Sequence, residues 1–323
     1  MKAKKMKIMV IAVVVMAIVA IAVVHVIPAV RNRSHNVALG REWAGLLKKH
    51  PAFSAKLPGY RVDVIFQYAA PTDDDLTRLR DTYDLETIAG QGSETDRIIN
   101  LTRWVFQLTG HANNPRIPKE LNAFSLIHIA QVEKMQINCS MKTIILNEVF
   151  LAVGFSSRQT HLLPHSREED ESHFITSVYS RTLGKWILMD PDFGVYVTDE
   201  KGNILGISEI RSRLIAGEPL VAKDVVSTGA SLFEKARTSL RDFIEGADYL
   251  WYLRKNIFKI RCPQVSTFDQ RSKPNKVYFE LIPDGYRGEL LQEPKMTERG
   301  KIVYINDEVL FWQEPAGPLG PAA

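Results

Sequence analysis

Cys139, His173 and Asp190 follow one another in a single stretch of the chain. A thiol, an imidazole and a carboxylate are the minimal set for acyl transfer through a thioester: the thiolate attacks a carbonyl, the imidazole moves protons, and the carboxylate orients the imidazole. Local pattern places each residue on an element suited to that chemistry. Asn138-Cys139-Ser140-Met141 opens a predicted helix that Asn138 can cap and Gly154 can stop, with Met141, Ile145, Val149 and Ala152 as its apolar stripe. Unpaired N–H groups and a partial positive charge at a helix N-terminus favour a thiolate there. Residues 173–180 and 185–190 alternate as consecutive strands, and a turn near Arg181 and Thr182 sets His173 roughly opposite Asp190 on one face.

Several residues compete for parts in this scheme. Asp192 rivals Asp190 for the carboxylate role, and Gln136 is a candidate side-chain donor to an oxyanion, beside the backbone N–H of Cys139. Cys262 is the second cysteine of the chain, so a disulfide between the two is the inert alternative. His161, His165 and His173 raise a metal site, but Pro164 breaks any helical pairing of the first two and no second histidine pair completes a tetrahedral set. Neither a metal nor a cofactor is expected.

The surrounding pattern supplies the frame. Residues 37–49, 93–108 and 121–130 read as helices, the second with Ile98, Leu101, Trp104, Val105 and Leu108 on one stripe. Residues 51–60 read as a connector, and 61–68, 157–163, 173–180, 185–190 and 195–198 as strands. Helices followed by strands predict an α+β domain. The acidic stretch Glu168 to Glu171 reads as a solvated loop. Residues 231–260 read as one long helix with Phe233, Ala236, Leu240, Phe243, Ala247 and Leu250 along a seam. Strands over 277–282, 301–305 and 309–312, the last two joined by a turn at Asn306-Asp307, suggest a small β appendage, and 314–323 a disordered tail.

Taken together, Asn138-Cys139-Ser140 on a helix ending at Gly154, then Ser157-Arg158-Gln159-Thr160, His173 on a strand and Trp186-Ile187-Leu188-Met189-Asp190-Pro191 resemble the transglutaminase-like superfamily over residues 94–210. That resemblance implies a papain-type core of helices packed on an antiparallel sheet, with Cys139 as nucleophile, His173 as base and Asp190 as orienting acid. The chain departs from animal cross-linking enzymes of that kind, where an aromatic residue commonly follows the cysteine and calcium sites accompany the core. Here Ser140 follows it, and no calcium loop is legible.

The formal charge of +4 equals the four lysines Lys2, Lys4, Lys5 and Lys7 ahead of the first apolar run, so the rest of the chain is balanced and nucleic acid is not an expected partner. Residues 8–24 are apolar throughout and 26–30 continue the run before Arg31 and Arg33, long enough to cross a bilayer. The lysines in front favour a cytoplasmic N-terminus and a body outside. A cleaved secretory signal ending at Ala20-Ile21-Ala22 is the alternative. The expected division is a membrane anchor (1–30), connector and N-terminal elements (31–90), a transglutaminase-like catalytic domain (91–215), and a C-terminal helix, β appendage and tail (216–323). The expected activity is on amide bonds of proteins or peptides, with hydrolysis favoured. An amine-accepting cross-linker and a catalytically silent envelope-binding scaffold are the alternatives, and the oligomeric state is left open.

Overall fold

The computed structural model describes residues 27–54, 63–166, 172–226, 248–286, 295–298 and 300–317. Their helices are α1 (Ile27–Lys49), α2 (Asp74–Thr82), α3 (Leu85–Ala89), α4 (Glu94–Leu108), α5 (Ala123–Gln131), α6 (Cys139–Ala152), α7 (Ile207–Ala216), α8 (Tyr249–Asn256) and α9 (Glu308–Phe311). Their strands are β1 (Gln67–Tyr68), β2 (Ser157–Leu163), β3 (His173–Ser180), β4 (Lys185–Asp190), β5 (Val195–Thr198), β6 (Val221–Asp224), β7 (Lys259–Pro263), β8 (Val265–Ser266), β9 (Val277–Leu281), β10 (Lys295–Thr297) and β11 (Gly300–Ile305).

Helices start where a side-chain oxygen can accept the N–H groups that have no partner in the first turn. Ser93 with Asp96 caps α4, Asn122 with Ser125 caps α5, and Asn138 accepts the Met141 N–H at 3.1 Å at the head of α6. Strands β2 to β5 form an antiparallel meander inside a sheet of order β10-β11-β9-β7-β2-β3-β4-β5-β6, in which the β9–β11 pair is parallel. With helices packed on it, the fold is α+β. Both faces of the sheet are covered. On β2, Ser157 and Gln159 hydrogen-bond to α6, while Arg158 between them lies fully buried among Phe66, Trp186, Phe311 and Trp312 and donates to the Phe311 carbonyl at 3.0 Å.

Helix α6 is the centre of the molecule. Sequence pattern predicts one apolar stripe, yet every residue from Met141 to Ala152 is buried, with α2, α4 and α5 around it and β2 and β3 beneath. An enclosed helix must satisfy its polar groups internally. Glu148 does so by accepting the backbone N–H groups of Ala123 at 2.7 Å and Asp269 at 3.0 Å, and burial pushes its carboxyl up to about 8.

Several expectations need correction. The C-terminal strands are no appendage: β7 pairs with β2, β9 with β7 and β11 with β9, so they extend the same sheet. Residues 309–312 are not a strand. Asp307, read as a hairpin turn, caps α9 by accepting the Leu310 N–H at 3.0 Å, and an apolar run this short cannot separate helix from strand by period. A single helix over 231–260 is also excluded. Residues 227–247 lie outside the described part, but Asp248 has an extended backbone and caps a helix beginning at Tyr249, and Lys259 and Ile260 already belong to β7. The strand over 61–68 shrinks to β1, with 55–62 outside the described residues, and α1 reaches further back than 37. Helices α2, α3 and α7 and strands β6, β7, β8 and β10 have no counterpart among the expected elements. No described helix is long and apolar enough to cross a membrane. The predicted span over 8–30 falls outside the described residues up to position 26, as do the acidic loop from 167 and the tail from 318.

Replacing Glu148 with Ala leaves the buried Ala123 N–H and the half-buried Asp269 N–H without their acceptor and is expected to cost about 2–4 kcal/mol of stability in denaturant unfolding. A loss below about 1 kcal/mol, ordinary for a surface position, would contradict this account of α6.

Candidate active site

The site lies where three chain segments end or begin. Cys139 is the first residue of α6, His173 the first of β3 and Asp190 the last of β4, so the two strand residues share one end of an antiparallel pair. Their registration differs from the expected one. The β3–β4 register sets Thr176 against Met189, which brings Asp190 opposite Ile175 and leaves His173 two residues beyond on the same face. The turn is centred one residue later than expected, with Gly184 in the left-handed region at φ 62°, and a displacement of two keeps side chains on their face where a displacement of one would flip them. A diagonal pair at this spacing is within reach of long side chains.

His173 Nε2 donates to Asp190 Oδ2 at 2.6 Å, with both side chains buried. The other ring nitrogen, Nδ1, is left for Cys139, whose thiol is a hydrogen-bond partner of the imidazole and is partly exposed. Asp190 is saturated with donors. Besides His173 it accepts the hydroxyl of Tyr249 at 3.0 Å, and its Oδ1 accepts the backbone N–H groups of Asp192 at 2.9 Å and Phe193 at 3.0 Å. The turn carrying those donors closes through Gly194, which sits at φ 68° with the Phe106 ring where a Cβ would be.

The electrostatics follow from this packing. Burial alone would lower the pKa of His173, but ionised Asp190, through its charge and hydrogen bond, raises it to about 10 with help from Cys139. Burial alone would raise the pKa of Asp190, and His173 with the two backbone donors brings it below the usual carboxylate range. The pair is therefore an imidazolium and a carboxylate at neutral pH; the share of stability linked to His173 is present below about 6.5 and lost as pH rises through about 10, and the share linked to Asp190 is lost as pH falls into the acid range. Tyr249 stays a neutral donor, since burial first and then the charge of Asp190 raise its pKa well above 10.

Asp192 has a different set of partners. Its Oδ2 meets His111 Nδ1 at 2.8 Å and its Oδ1 meets the buried Lys142 Nζ at 3.3 Å, while His111 Nε2 faces Asn113 Oδ1 at 3.0 Å. The carboxylate thus clamps the Asp190 turn to α6 and to the loop at His111. Gln136 is exposed, with its amide over Gly110, and is not among the described residues of the cleft. The three histidines weighed as metal ligands are separated in role: His161 stacks on Phe174 and bonds Ser172, His165 packs edge-on to Phe258, and His173 holds Asp190. Cys262 is a free, buried thiol beside Thr160 Oγ1 at 3.4 Å, its pKa raised by burial, and Cys139 is free as well. A cleft of about 880 Å3 opens on Cys139 and His173, edged by His111, Asp192, Phe193 and Tyr252.

Tyr249, His111 and Lys142 carried no signal in sequence. Tyr249 lies in a stretch that reads as an uninterrupted apolar seam, and His111 in a polar loop of Gly, Asn and Pro. Asp192 was visible only as a rival to Asp190, because spacing along a turn does not say which way each carboxylate points.

The chemistry this arrangement allows is that of a thiol beside an imidazolium whose charge is fixed by a buried carboxylate. No protein-family model matches the chain, and no curated protein matches it. One solved structure is similar, that of a proposed cysteine protease from Cytophaga hutchinsonii, at 12% identity and a TM-score of 0.29. The match covers 55% of this chain and 58% of that one, under two thirds of its length. A likeness at this level carries no argument about the site.

In 15N-histidine NMR spectra, His173 is expected to remain protonated through pH 8, and Asp190→Asn, which removes the main opposition to burial and leaves only Cys139 against it, to lower its midpoint markedly. Titration of His173 near 6.5 in the unmodified protein would refute the ion pair.

Proposed function

We propose that the chain is a transglutaminase-like thiol enzyme that cleaves amide bonds of proteins or peptides, with Cys139 as nucleophile, His173 as general acid and base, and Asp190 as orienter. The observation that carries this reading is the bond of His173 Nε2 to buried Asp190, which aims Nδ1 at the one thiol that opens both a helix and a cleft. In the acylation step Cys139 Sγ forms a bond to the amide carbonyl carbon, and the C–N bond breaks as His173 gives its Nδ1 proton to the leaving amine. In deacylation water attacks the thioester, His173 takes its proton, and the carboxylic acid leaves as the thiolate reforms. The backbone N–H of Cys139, at the positive end of α6, is the proposed donor to the oxyanion.

Hydrolysis is favoured over amine transfer because the cleft is open and Cys139 is partly exposed, so water has access to the thioester. We further propose that residues 1–30 anchor the protein with this body on the outer side of the membrane, from the apolar run and the lysines that precede it.

Alkylation of Cys139 by iodoacetamide at pH 6 tests the thiol chemistry. The rate is expected to fall about a hundredfold in His173→Ala, because an ordinary thiol is only about 0.3% anionic at that pH. An unchanged rate removes the base from His173. On intact cells, a membrane-impermeant form of the reagent is expected to label Cys139, and labelling only after lysis would place the site inside. A glutamine-containing peptide offered with a labelled amine is expected to release ammonia without incorporating label, whereas stoichiometric incorporation would make the enzyme a cross-linker.

A further inference from the structure

The three residues of the proposed triad lie between positions 139 and 190, but one of the donors that hold them comes from far along the chain. Tyr249, the first residue of α8, donates its hydroxyl to Asp190 Oδ2 at 3.0 Å, and that oxygen also receives His173 Nε2 at 2.6 Å. Two donors on one carboxylate oxygen draw on the same electron density, so each weakens the other. The position of Tyr249 therefore sets how strongly Asp190 holds the imidazole. One turn on, Tyr252 packs edge-on to His173 with ring centroids 5.2 Å apart, and Phe193 lies against the two tyrosines at 5.2 and 5.6 Å.

The other side of α8 meets α1. Trp251, two residues on from Tyr249 and so on the opposite side of the helix, donates Nε1 to the Asn36 carbonyl at 2.7 Å, and its ring meets Trp43 edge to face at 4.7 Å. Between these contacts Gly40 is buried, and a Cβ there would stand 3.0 Å from Trp251 Cδ1 and 3.3 Å from Nε1. Asn36, Gly40 and Trp43 are spaced four and three apart, so they form one stripe of α1, and the glycine at its centre lets the indole reach the helix backbone. A helix of about two turns does not hold its own shape in water, so α8 stands where its neighbours put it. Within those two turns it touches the acid, the base and α1.

We propose that α1 is a positioning element of the active site: through Trp251 it fixes α8, α8 holds Tyr249 on Asp190, and Tyr249 limits the pull of Asp190 on the His173 proton. Tyr249 is then a positioning residue that acts through the acid. The catalytic consequence rests on the thiol-enzyme reading, whereas the coupling of α1 to His173 does not, since it is made of packing and hydrogen bonds alone. In sequence α1 follows the apolar run of residues 8–24, so the segment proposed as the membrane anchor leads into the helix that places Tyr249.

The test reads the proton on His173 Nε2 in 1H–15N spectra of the full chain labelled with 15N-histidine, where a stronger bond to Asp190 moves the resonance downfield. Tyr249→Phe removes the second donor from Oδ2 and is expected to produce that downfield shift. Gly40→Val drives a wedge between α1 and α8 without cost in helix propensity, and is expected to shift the resonance the same way. In the double variant the two shifts are expected not to add, because both act through one hydroxyl. Ile302→Ala, a buried change on β11 with β9, β7 and β2 between it and β3, is expected to lower the melting temperature and leave the resonance in place. Where Gly40→Val fails to fold, Trp43→Leu opens the same seam and carries the same expectation. A resonance that ignores Tyr249→Phe, ignores the seam variants or moves additively in the double variant overturns the proposal, and so does one displaced equally by Ile302→Ala. The enzyme reading fails separately. Alkylation of Cys139 that is indifferent to His173→Ala, with the shifts intact, removes the thiol chemistry and keeps the coupling, and His173-dependent alkylation with a resonance unmoved by the seam variants does the reverse.

Discussion

Everything at this site depends on a carboxylate kept ionised inside the protein. Asp190 has no contact with solvent, and moving a carboxylate into such a place costs several kcal/mol unless donors replace the lost water. Four donors do so: the His173 imidazolium, the Tyr249 hydroxyl and two backbone N–H groups of its own turn. Each comes with a structural obligation. The turn requires Gly194 in a left-handed conformation, Tyr249 requires α8 to dock against the end of the sheet, and His173 requires β3 to start at one defined register. The arrangement also fixes the proton. With Nε2 committed to Asp190, the imidazole can trade a proton with Cys139 only through Nδ1.

The central helix shows why the thiol stays where that nitrogen can reach it. A helix buried on all sides is free to slide or turn only if its side chains are interchangeable, and those of α6 are not. Lys142 is held by Asp192, Asn147 receives Ser157 Oγ at 2.9 Å, Glu148 receives two backbone N–H groups, and Ser140 Oγ receives Arg271 Nη2 at 3.2 Å. The partners come from a turn, a strand, the start of another helix and a loop near residue 270. Shifting the sequence by one residue along α6 rotates each side chain by about 100° and would leave Lys142 and Glu148 buried without partners. The position of Cys139 is thus set by polar residues that lie beyond it in the same helix.

Much of this was legible in the sequence because it is written locally. Ser93, Asn122 and Asn138 announce their helices, the alternation over 157–163, 173–180 and 185–190 announces the meander, and the order of Cys139, His173 and Asp190 brings the right groups to adjacent elements. What was misread is set by contacts distant in sequence. The C-terminal strands look like a separate unit until β7 is seen to pair with β2, about a hundred residues earlier in the chain. Asp248 and Asp307 are helix caps that sequence reading passed over, one inside an apolar seam and the other inside an apparent hairpin. Lys142 and Glu148 lie off the stripe of Met141, Ile145, Val149 and Ala152, and their burial is not legible there, because enclosure of a helix by neighbours on every side leaves no periodic trace when its polar residues are paired internally.

The two carboxylates of Asp190-Pro191-Asp192 show how a short turn can give neighbouring acids separate sets of partners. Asp190 receives the N–H of Asp192 and so curls the chain back on itself, and this curl sends the second carboxylate to His111 and Lys142 instead of His173. Two acids competing for one imidazole would each hold it loosely and would repel each other across a desolvated site. Giving the second acid its own partners, the Lys142 ammonium and the His111 ring, removes that conflict and ties the turn to the helix that carries the thiol. Cys139, His173 and Asp190 are then held by one connected set of polar contacts, in which loss of Asp192 would disturb α6 through Lys142 as well as Asp190 through the backbone.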